Sequence, residues 1–398
     1  MIDRVTKTNI VIPPHGLALA QIALGLGGLF IGTGEFAAMG LLPAMAQSAD
    51  VPVPQAGTLI STYALGVVIG SPLLAVLTAR MERRRLLILL AIIVLVGNAA
   101  SALMSGFTGI AAARFLSGLP HGAYYGTASI VAAAMVPPAQ RAQAIGRVML
   151  GLAAANLVGV PLATWLGQSF GWRAAFAAVA AGGMLLIALL RWLLPVIAAD
   201  ADASPERELS ALARPQIWLT LGVATIGFGG MFAVYSYITP TLTQVSGVTI
   251  GQVPLFLALW GLGMIVGNLA GGWLADRALL RAICGILIWN ILFLALFTVV
   301  AHDPLPAAGA LFLVGIGFAL VPALQARLMD VARNAQALAA AMNHSAFNLA
   351  NAIGAWTGGA AIAAGFGWQS TGLVGAALAG GGLVMMGLSL LLGRRRPL

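Results

Sequence analysis

The stretch Asn156-Leu-Val-Gly159, followed by a tight turn at Phe170-Gly171-Trp172, occurs twice in this chain. The second copy reads Asn351-Ala-Ile-Gly354 and continues to Phe366-Gly367-Trp368, which lies 195 or 196 residues further on. Each copy runs from a Gly-rich apolar segment through the turn into another apolar segment. Because the offset is about half of the 398 residues, the repeat predicts two structurally similar halves.

The composition indicates that most of the surface of this protein faces lipid. Hydrophobic residues make up 60% of the chain and charged residues only 8%, and the mean hydropathy is +0.98. Soluble domains carry roughly 25% charged residues, so this chain has too little charge to cover a soluble globule of its size. The apolar runs are continuous rather than alternating, which excludes a β-barrel and favours membrane-spanning helices.

A spanning helix needs about 20 mostly apolar residues, and the chain divides into twelve such segments. The predicted spans are 17–42, 55–79, 85–105, 107–134, 142–168, 173–195, 216–244, 250–274, 279–300, 304–329, 337–364 and 369–393.

The predicted fold is an all-α membrane protein with two pseudo-symmetric six-helix bundles. The first bundle comprises residues 1–195 and the second comprises 216–398, and the polar segment 196–215 forms the linker between them. Because six is an even number, both halves begin on the same side of the membrane, which makes the repeat parallel. Parallel repeats with a binding site at their interface are typical of one large class of secondary transporters.

The net charge of +9 reflects membrane topology rather than nucleic-acid binding. The basic residues occur in small groups between apolar segments, and 18 of the 20 lie on one side if the N-terminus is cytoplasmic. This asymmetry predicts cytoplasmic N- and C-termini and a cytoplasmic linker, in an inner membrane of bacterial type. The single cysteine, Cys284, lies in an apolar segment, so neither a disulfide nor a metal cluster is predicted.

Glu35 is the one acidic residue well inside a predicted span, within Ile31-Gly-Thr-Gly-Glu-Phe-Ala-Ala-Met39. An ionisable side chain there costs a few kcal/mol, and such residues usually face a cavity or a partner and serve function. Glu35 is therefore a candidate for proton coupling or substrate contact. The alternative is a structural hydrogen bond near the outer mouth.

Arg114 is the one basic residue that the charge count assigns to neither side of the membrane, because it falls within a span, and its depth is similar to that of Glu35. A direct contact between the two side chains is therefore one possibility, although the sequence does not show that they touch. His121 follows Arg114 by seven residues on the same helical face. It is either a buried polar residue of the core or part of a proton relay.

Two further sets of residues are candidates for function. The polar residues that are candidates for lining a central cavity are Tyr124, Tyr125, Asn156, Tyr235, Tyr237, Gln325, Asn343, His344, Asn348 and Asn351. Each of these could instead form hydrogen bonds between helices. The residues that could form a cytoplasmic charge latch between helix ends are Arg80, Arg83, Arg84, Asp276 and Arg277. The latch could pair Asp276 with an arginine or place it at a helix N-terminus; alternatively, these charges only set topology.

The sequence resembles the major facilitator superfamily, within it most closely the drug and sugar proton antiporters that include arabinose efflux permeases, sugar efflux transporters and chloramphenicol exporters. Gly32-Thr-Gly-Glu-Phe-Ala-Ala-Met-Gly-Leu-Leu-Pro43 resembles the first-helix signature of that group. The segments that resemble its later signatures are Arg114 to Gly122, Gly159-Val-Pro161, Phe170-Gly-Trp-Arg173 and Tyr235-Ser-Tyr-Ile-Thr-Pro240.

The resemblance implies that Glu35 couples or binds substrate and that Arg114 takes part in proton transfer. It also implies that the segment from Gly159 to Pro161 forms the bent antiporter motif of helix five. Two departures stand out. The usual Gly and Asp before the third helix are Ala75 and Ala79 here, and the paired glycines that end the antiporter motif are Ala163-Thr164.

The sequence therefore predicts a secondary transporter, most simply a proton-coupled exporter of a small hydrophobic, drug-like or sugar-like solute. The expected energy source is the proton gradient, with no cofactor, and the protein is expected to act as a monomer in the lipid bilayer. An importer or an uncoupled facilitator is the alternative. A membrane enzyme would need clustered catalytic groups, whereas four histidines, one cysteine and one deep acid are present.

Overall fold

The computed structural model of the protein describes residues 14–51, 53–197, 204–249, 251–333 and 335–395. All regular secondary structure in these residues is helical. Arg4, Lys7 and Arg396, which contribute to the charge asymmetry, lie outside the described residues, as do linker positions 198–203.

Among the described residues, six spanning helices precede the linker. They are α1 (Pro14–Ser48), α2 (Thr58–Leu77), α3 (Arg83–Leu103), α4 (Phe107–Gly118 and His121–Ala134), α5 (Arg141–Ala154, Ala155–Gly159 and Val160–Phe170) and α6 (Trp172–Leu193). A short helix, Val53–Ala56, precedes α2. These bounds agree with the predicted spans within a few residues, except that α1 continues to Ser48.

The described residues after the linker form six more spanning helices. They are α7 (Pro215–Gly222, Val223–Gly227, Gly229–Ser236 and Ile238–Gln244), α8 (253–277), α9 (279–300), α10 (Pro304–Ile316, Gly317–Ala319 and Leu320–Ala332), α11 (Gln336–Ala363) and α12 (Ser370–Arg395). The run Val253–Val300 is divided into α8 and α9 by the non-helical backbone of Ala278 (φ −157°, ψ 70°).

The predicted count of twelve spans fits these helices. Nine helical runs of the described chain are long and apolar enough to cross a membrane, and one of them, Leu255–Val300, contains both α8 and α9. The other two spans are α4 and α11. Helix α4 is divided before His121, next to Pro120, which lacks the N–H that a continuous helix needs. Helix α11 is 28 residues long but carries three asparagines and one histidine.

Alternate loops meet at the same end of the bundle, as the charge pattern predicts. At the end that carries the linker (here called the linker end), the N–H of Arg83 donates to the Ile197 oxygen at 2.9 Å. The Arg214 guanidinium donates to two carbonyl oxygens at the end of α10. At the opposite end, the Arg173 guanidinium donates to the Ser48 hydroxyl oxygen at 2.8 Å. The arginine-rich loops therefore share the linker end.

The two halves are pressed together towards the linker end. The helix pairs that join them are α2 with α11, α4 with α11, α5 with α8 and α5 with α10. Gly126 of α4 lies so close to α11 that a Cβ atom there would stand 2.8 Å from the Ala341 nitrogen. A Cβ atom at Gly272 of α8 would stand 2.8 Å from the Ala142 oxygen. These contacts close the interface on that side.

Gly126→Val is expected to wedge the linker end open, because overpacking a tight contact typically costs about 1–3 kcal/mol. The reporter is Ser71→Cys, at a fully buried position of α2, in a Cys284→Ala background that has no other cysteine. Its labelling by a water-soluble maleimide should rise about fivefold or more. Gly309→Val is the matched control, because a Cβ atom at Gly309 meets nothing within 4 Å. Equal labelling in both variants would show that this contact does not seal the interface.

Candidate functional site

A cavity lies between the two halves, and its wall is mostly aromatic and apolar. The large apolar side chains that line it include Phe228, Phe232, Trp260, Phe318 and Phe347, together with two methionines. These five aromatic residues come from the second half, and Phe36 of the first half also lines the cavity. Such a wall suits a flat or lipophilic solute, because aromatic rings offer large apolar contact surfaces.

The polar side chains on the wall come from both halves and are few. They are Glu35, His121, Asn156, Tyr235, His344, Asn348 and Asn351. Glu35 is the only carboxylate among the residues that line this cavity, and a ligand there would meet one acid among otherwise neutral or apolar groups.

The Glu35 carboxylate is placed next to His121. Glu35 is 8% exposed, and its Oε2 atom lies 3.6 Å from Nδ1 of His121. The same nitrogen lies 3.0 Å from the hydroxyl of Tyr63 on α2. Oε2 of Glu35 has no hydrogen-bond partner among the described residues, so it remains available to a proton or a ligand. Tyr63 was not among the sequence candidates, since a lone tyrosine in an apolar span gives no signal of its role.

Arg114 holds the backbone beside Glu35 rather than the Glu35 carboxylate. Its guanidinium donates hydrogen bonds to the carbonyl oxygens of Gly34 (2.8 Å) and Glu35 (3.3 Å). It is fully buried and stacks over the rings of Tyr63 and Phe176. The suggested side-chain pair with Glu35 is therefore not made in this structure. A helical carbonyl oxygen has a second lone pair for such a donor, so Arg114 fixes the stretch of α1 that carries the acid.

A second histidine extends this cluster into the other half. The ring centre of His344 on α11 lies 5.3 Å from that of His121, and its ring stacks on Tyr125 with centres 4.4 Å apart. Nε2 of His344 is buried and has no hydrogen-bond partner among the described residues. Glu35, His121 and His344 thus form a row of titratable groups that crosses the interface between the halves.

Five of the ten polar cavity candidates line the cavity: Asn156, Tyr235, His344, Asn348 and Asn351. The Tyr235 hydroxyl donates to Oδ1 of Asn156 at 3.3 Å, a contact between α7 and α5. His344, Asn348 and Asn351 lie at helical spacing on one face of α11.

The other five candidates connect helices and do not line the cavity. Tyr124 and Tyr125 are fully buried, and their hydroxyls donate to backbone oxygens of α1 at 3.1 and 2.8 Å. Tyr237 donates to a backbone oxygen of α11. The Asn343 amide donates to Gln325 Oε1 at 2.6 Å, which joins α11 to α10. In membrane helices, buried polar side chains also form hydrogen bonds between helices, so helical spacing alone could not distinguish a cavity residue from a residue that joins two helices.

The helix-five motif coincides with a local change of helix type. Residues Ala155–Gly159 form a π-helical segment, and Pro161 follows at the start of the next α-helical piece. Gly159 allows α5 to approach Thr33 of α1 closely, since a Cβ atom there would overlap the Thr33 hydroxyl. Short π-helical segments occur frequently at functional sites, and this one carries the cavity residue Asn156.

The latch candidates form helix-end contacts at the linker end. Asp276 accepts hydrogen bonds from the backbone N–H groups of Ala142 (2.8 Å) and Gln143 (3.0 Å), at the start of α5. The sequence left open whether Asp276 pairs with an arginine or lies at a helix N-terminus, and the structure shows Asp276 at the N-terminus of α5. Arg277 lies over the ring of Trp273, with its guanidinium carbon 3.6 Å from the ring centre.

The arginines at the start of α3 meet the beginning of the linker. Arg84 donates to the carbonyl oxygen of Leu194 at 3.2 Å, and Arg83 is buried beside the same segment. Arg80 is exposed in the loop itself. The described residues contain no group of three or more His, Cys, Asp or Glu side chains arranged to hold a metal ion.

In the part of the chain that the structure describes, twelve spanning helices surround a central cavity, which is the architecture of a polytopic membrane protein of the transporter type. Residues 24–355 match the Major Facilitator Superfamily, and the chain belongs to that family. It is 40% identical to the inner membrane transport protein YdhP of Escherichia coli K12, over 94% of this chain and 96% of that protein. It is 32% identical to the putative transporter AraJ of the same organism, over 90% and 91% of the two chains.

Solved structures share this fold. The crystal structure of the fucose:proton symporter FucP of E. coli superposes with a TM-score of 0.71, covering 94% of this chain and 99% of that one. The sequence identity is 14%, so this likeness concerns the fold alone.

Proposed function

We propose that the protein exports a small lipophilic solute in exchange for protons by alternating access. The observation that carries this proposal is the Glu35 carboxylate, with an unpartnered oxygen on the wall of an aromatic cavity and His121 beside it. A titratable acid at such a place lets a proton and a solute compete for the same site.

Exchange requires only that Glu35 change its charge. When Glu35 is protonated it is neutral, so its side chain can stay buried without the free-energy cost of a desolvated charge. When the solute enters, the proton leaves and the carboxylate can accept a hydrogen bond or a positive charge from the solute. Tyr63 and His121 supply the neighbouring groups through which that proton can pass.

The cavity wall favours a lipophilic solute that carries one donor or cationic group. Phe228, Phe318 and Phe347 contribute apolar surface, while Glu35 supplies the single negative charge. A sugar-like solute is the second candidate, and the side-chain amides of Asn156 and Asn348 favour it, because amides bind hydroxyl groups well. The fold neighbour FucP is a fucose:proton symporter.

The setting proposed is a bacterial inner membrane, with the linker end and both termini in the cytoplasm, because the arginine-rich loops meet at that end. We propose a monomer that is driven by the proton gradient, without a cofactor and without enzymatic activity. The closed linker end then corresponds to a state in which the cytoplasmic side is sealed. An importer or an uncoupled facilitator remains the alternative mechanism.

The test is transport in proteoliposomes under an imposed pH gradient of either sign. The panel contains lipophilic cations, neutral chloramphenicol-like drugs and sugars. We expect uphill movement of a lipophilic compound against the direction of proton flow, and its loss when the gradient is collapsed. Movement in the same direction as protons would identify an importer. Transport whose rate and direction do not depend on the pH gradient would identify a facilitator.

A further inference from the structure

The linker contributes a buried carboxylate to the interface between the two halves. Its short helix, Pro205–Leu209, begins at Ser204, whose hydroxyl oxygen accepts from the N–H of Arg207 at 3.1 Å. Glu208 in that helix is only 3% exposed. Its Oε2 atom accepts a 2.8 Å hydrogen bond from the backbone N–H of Leu338 in the first turn of α11.

The internal repeat makes this contact the counterpart of the one at Asp276. Helix α5 begins at Arg141 and α11 begins at Gln336, and these positions are separated by the same 195 residues that separate Asn156 from Asn351. Gln143, which donates to Asp276, therefore corresponds to Leu338, which donates to Glu208. Each half thus has a helix N-terminus that is capped by a carboxylate at the linker end.

The two carboxylates come from different parts of the chain. Asp276 is at the end of α8, which packs on α5, and the matching position at the end of α2 is Ala79, which has no carboxylate. The small residue one turn before each of these positions nevertheless packs against the start of the facing helix in both halves. Gly272 of α8 abuts Ala142, while Ala75 of α2 packs in a small apolar cluster with Leu338. Only the acid is missing from α2.

We infer that Glu208 of the linker replaces the carboxylate that α2 lacks. The linker thereby positions α11 and helps to close the interface between the two halves at the linker end, here called the gate. The short helix touches both sides of this gate, since it packs against α2 and α11. Helix α11 carries His344 and Asn348 of the cavity, so the linker acts on the site through the helix that it holds.

The electrostatics of the contact are those of a helix cap. A carboxylate at a helix N-terminus interacts favourably with the free N–H groups and with the helix dipole. Burial raises the pKa of Glu208, while the hydrogen bond from Leu338 and the nearby Arg83 oppose that rise. Glu208→Gln keeps the size of the side chain and removes its charge, and it is therefore the informative change.

The experiment measures opening of the linker end directly. The reporter is again Ser71→Cys in a Cys284→Ala background, labelled in detergent without solute or gradient, so that its result does not depend on the proposed transport activity. Glu208→Gln is expected to raise the labelling rate about five- to tenfold, in keeping with the strength of a cap. Glu206→Gln is the matched control, because it is the same substitution two residues away at an exposed position.

A second variant places a carboxylate at residue 79, the position in the first half that corresponds to Asp276 in the second. Ala79→Asp, added to Glu208→Gln, should return labelling to the level of the unaltered chain and restore thermal stability. If Glu208→Gln labels like Glu206→Gln, or if Ala79→Asp does not restore closure, the inference is wrong. Should Glu208→Gln alone not fold, the double variant carries the test, because the relocated carboxylate must then recover folded protein.

Discussion

Glu35→Gln is expected to abolish uphill transport driven by a pH gradient while the protein still binds and exchanges a neutral solute. Glutamine preserves the shape of the side chain and its capacity for hydrogen bonds, but it cannot titrate. The pH dependence of transport should disappear with the coupling. The measurement is solute accumulation in proteoliposomes with an imposed gradient, compared with solute exchange when no gradient is present.

His121→Gln is the variant to compare with Glu35→Gln, because it tests whether the acid or the neighbouring histidine carries the proton. His121 lies 3.6 Å from the Glu35 carboxylate, so its loss should slow coupled transport without removing the acid. Glu206→Gln, in the exposed part of the linker, controls for the loss of one acid anywhere in the chain. Full uphill transport with unchanged pH dependence in Glu35→Gln would make Glu35 structural. Coupling lost only in His121→Gln would assign the proton to the histidine.

Arg114→Lys is expected to reduce transport about tenfold to hundredfold, because a hydrogen bond to a charged group is worth roughly 1.5–3 kcal/mol. Arginine reaches the two carbonyl oxygens of Gly34 and Glu35 with one planar fork. A lysine ammonium is a point charge and cannot reproduce both bonds together with stacking on Tyr63. The stretch of α1 that carries Glu35 should then lose its fixed position. Transport rate, solute affinity and thermal stability are measured together.

Arg173→Lys is a matched control within the same chain. Arg173 also stacks on an aromatic ring, that of Trp172, and donates to a carbonyl oxygen, that of Met104, but it does so at the exposed opposite end. Its substitution should leave transport within about twofold, as for exposed polar contacts. Equal losses in both variants would attribute the effect to general stability rather than to the position of Glu35.

The sequence by itself determined the fold of this protein to within a few residues at most helix ends. In lipid, every backbone group must be paired within a helix, so the length of each apolar segment and the loop charges decide the spans and their alternation. The repeat at Asn156 and Asn351 reflects the two equivalent helices α5 and α11. The lone acid, Glu35, could be recognised because its burial is unusual, whatever its neighbours are.

Only the tertiary structure decided which polar groups face one another. Helical spacing tells which residues share a face, but not towards which neighbouring helix that face is turned. For this reason the sequence left open whether Tyr124 and Tyr125 line the cavity or join helices, and whether Arg114 pairs with the Glu35 carboxylate. In the structure the tyrosines bind α1 and Arg114 binds the backbone. The contact of Glu208 with Leu338 joins residues 130 positions apart, and local sequence carries no signal of a pairing that depends on how the two halves close.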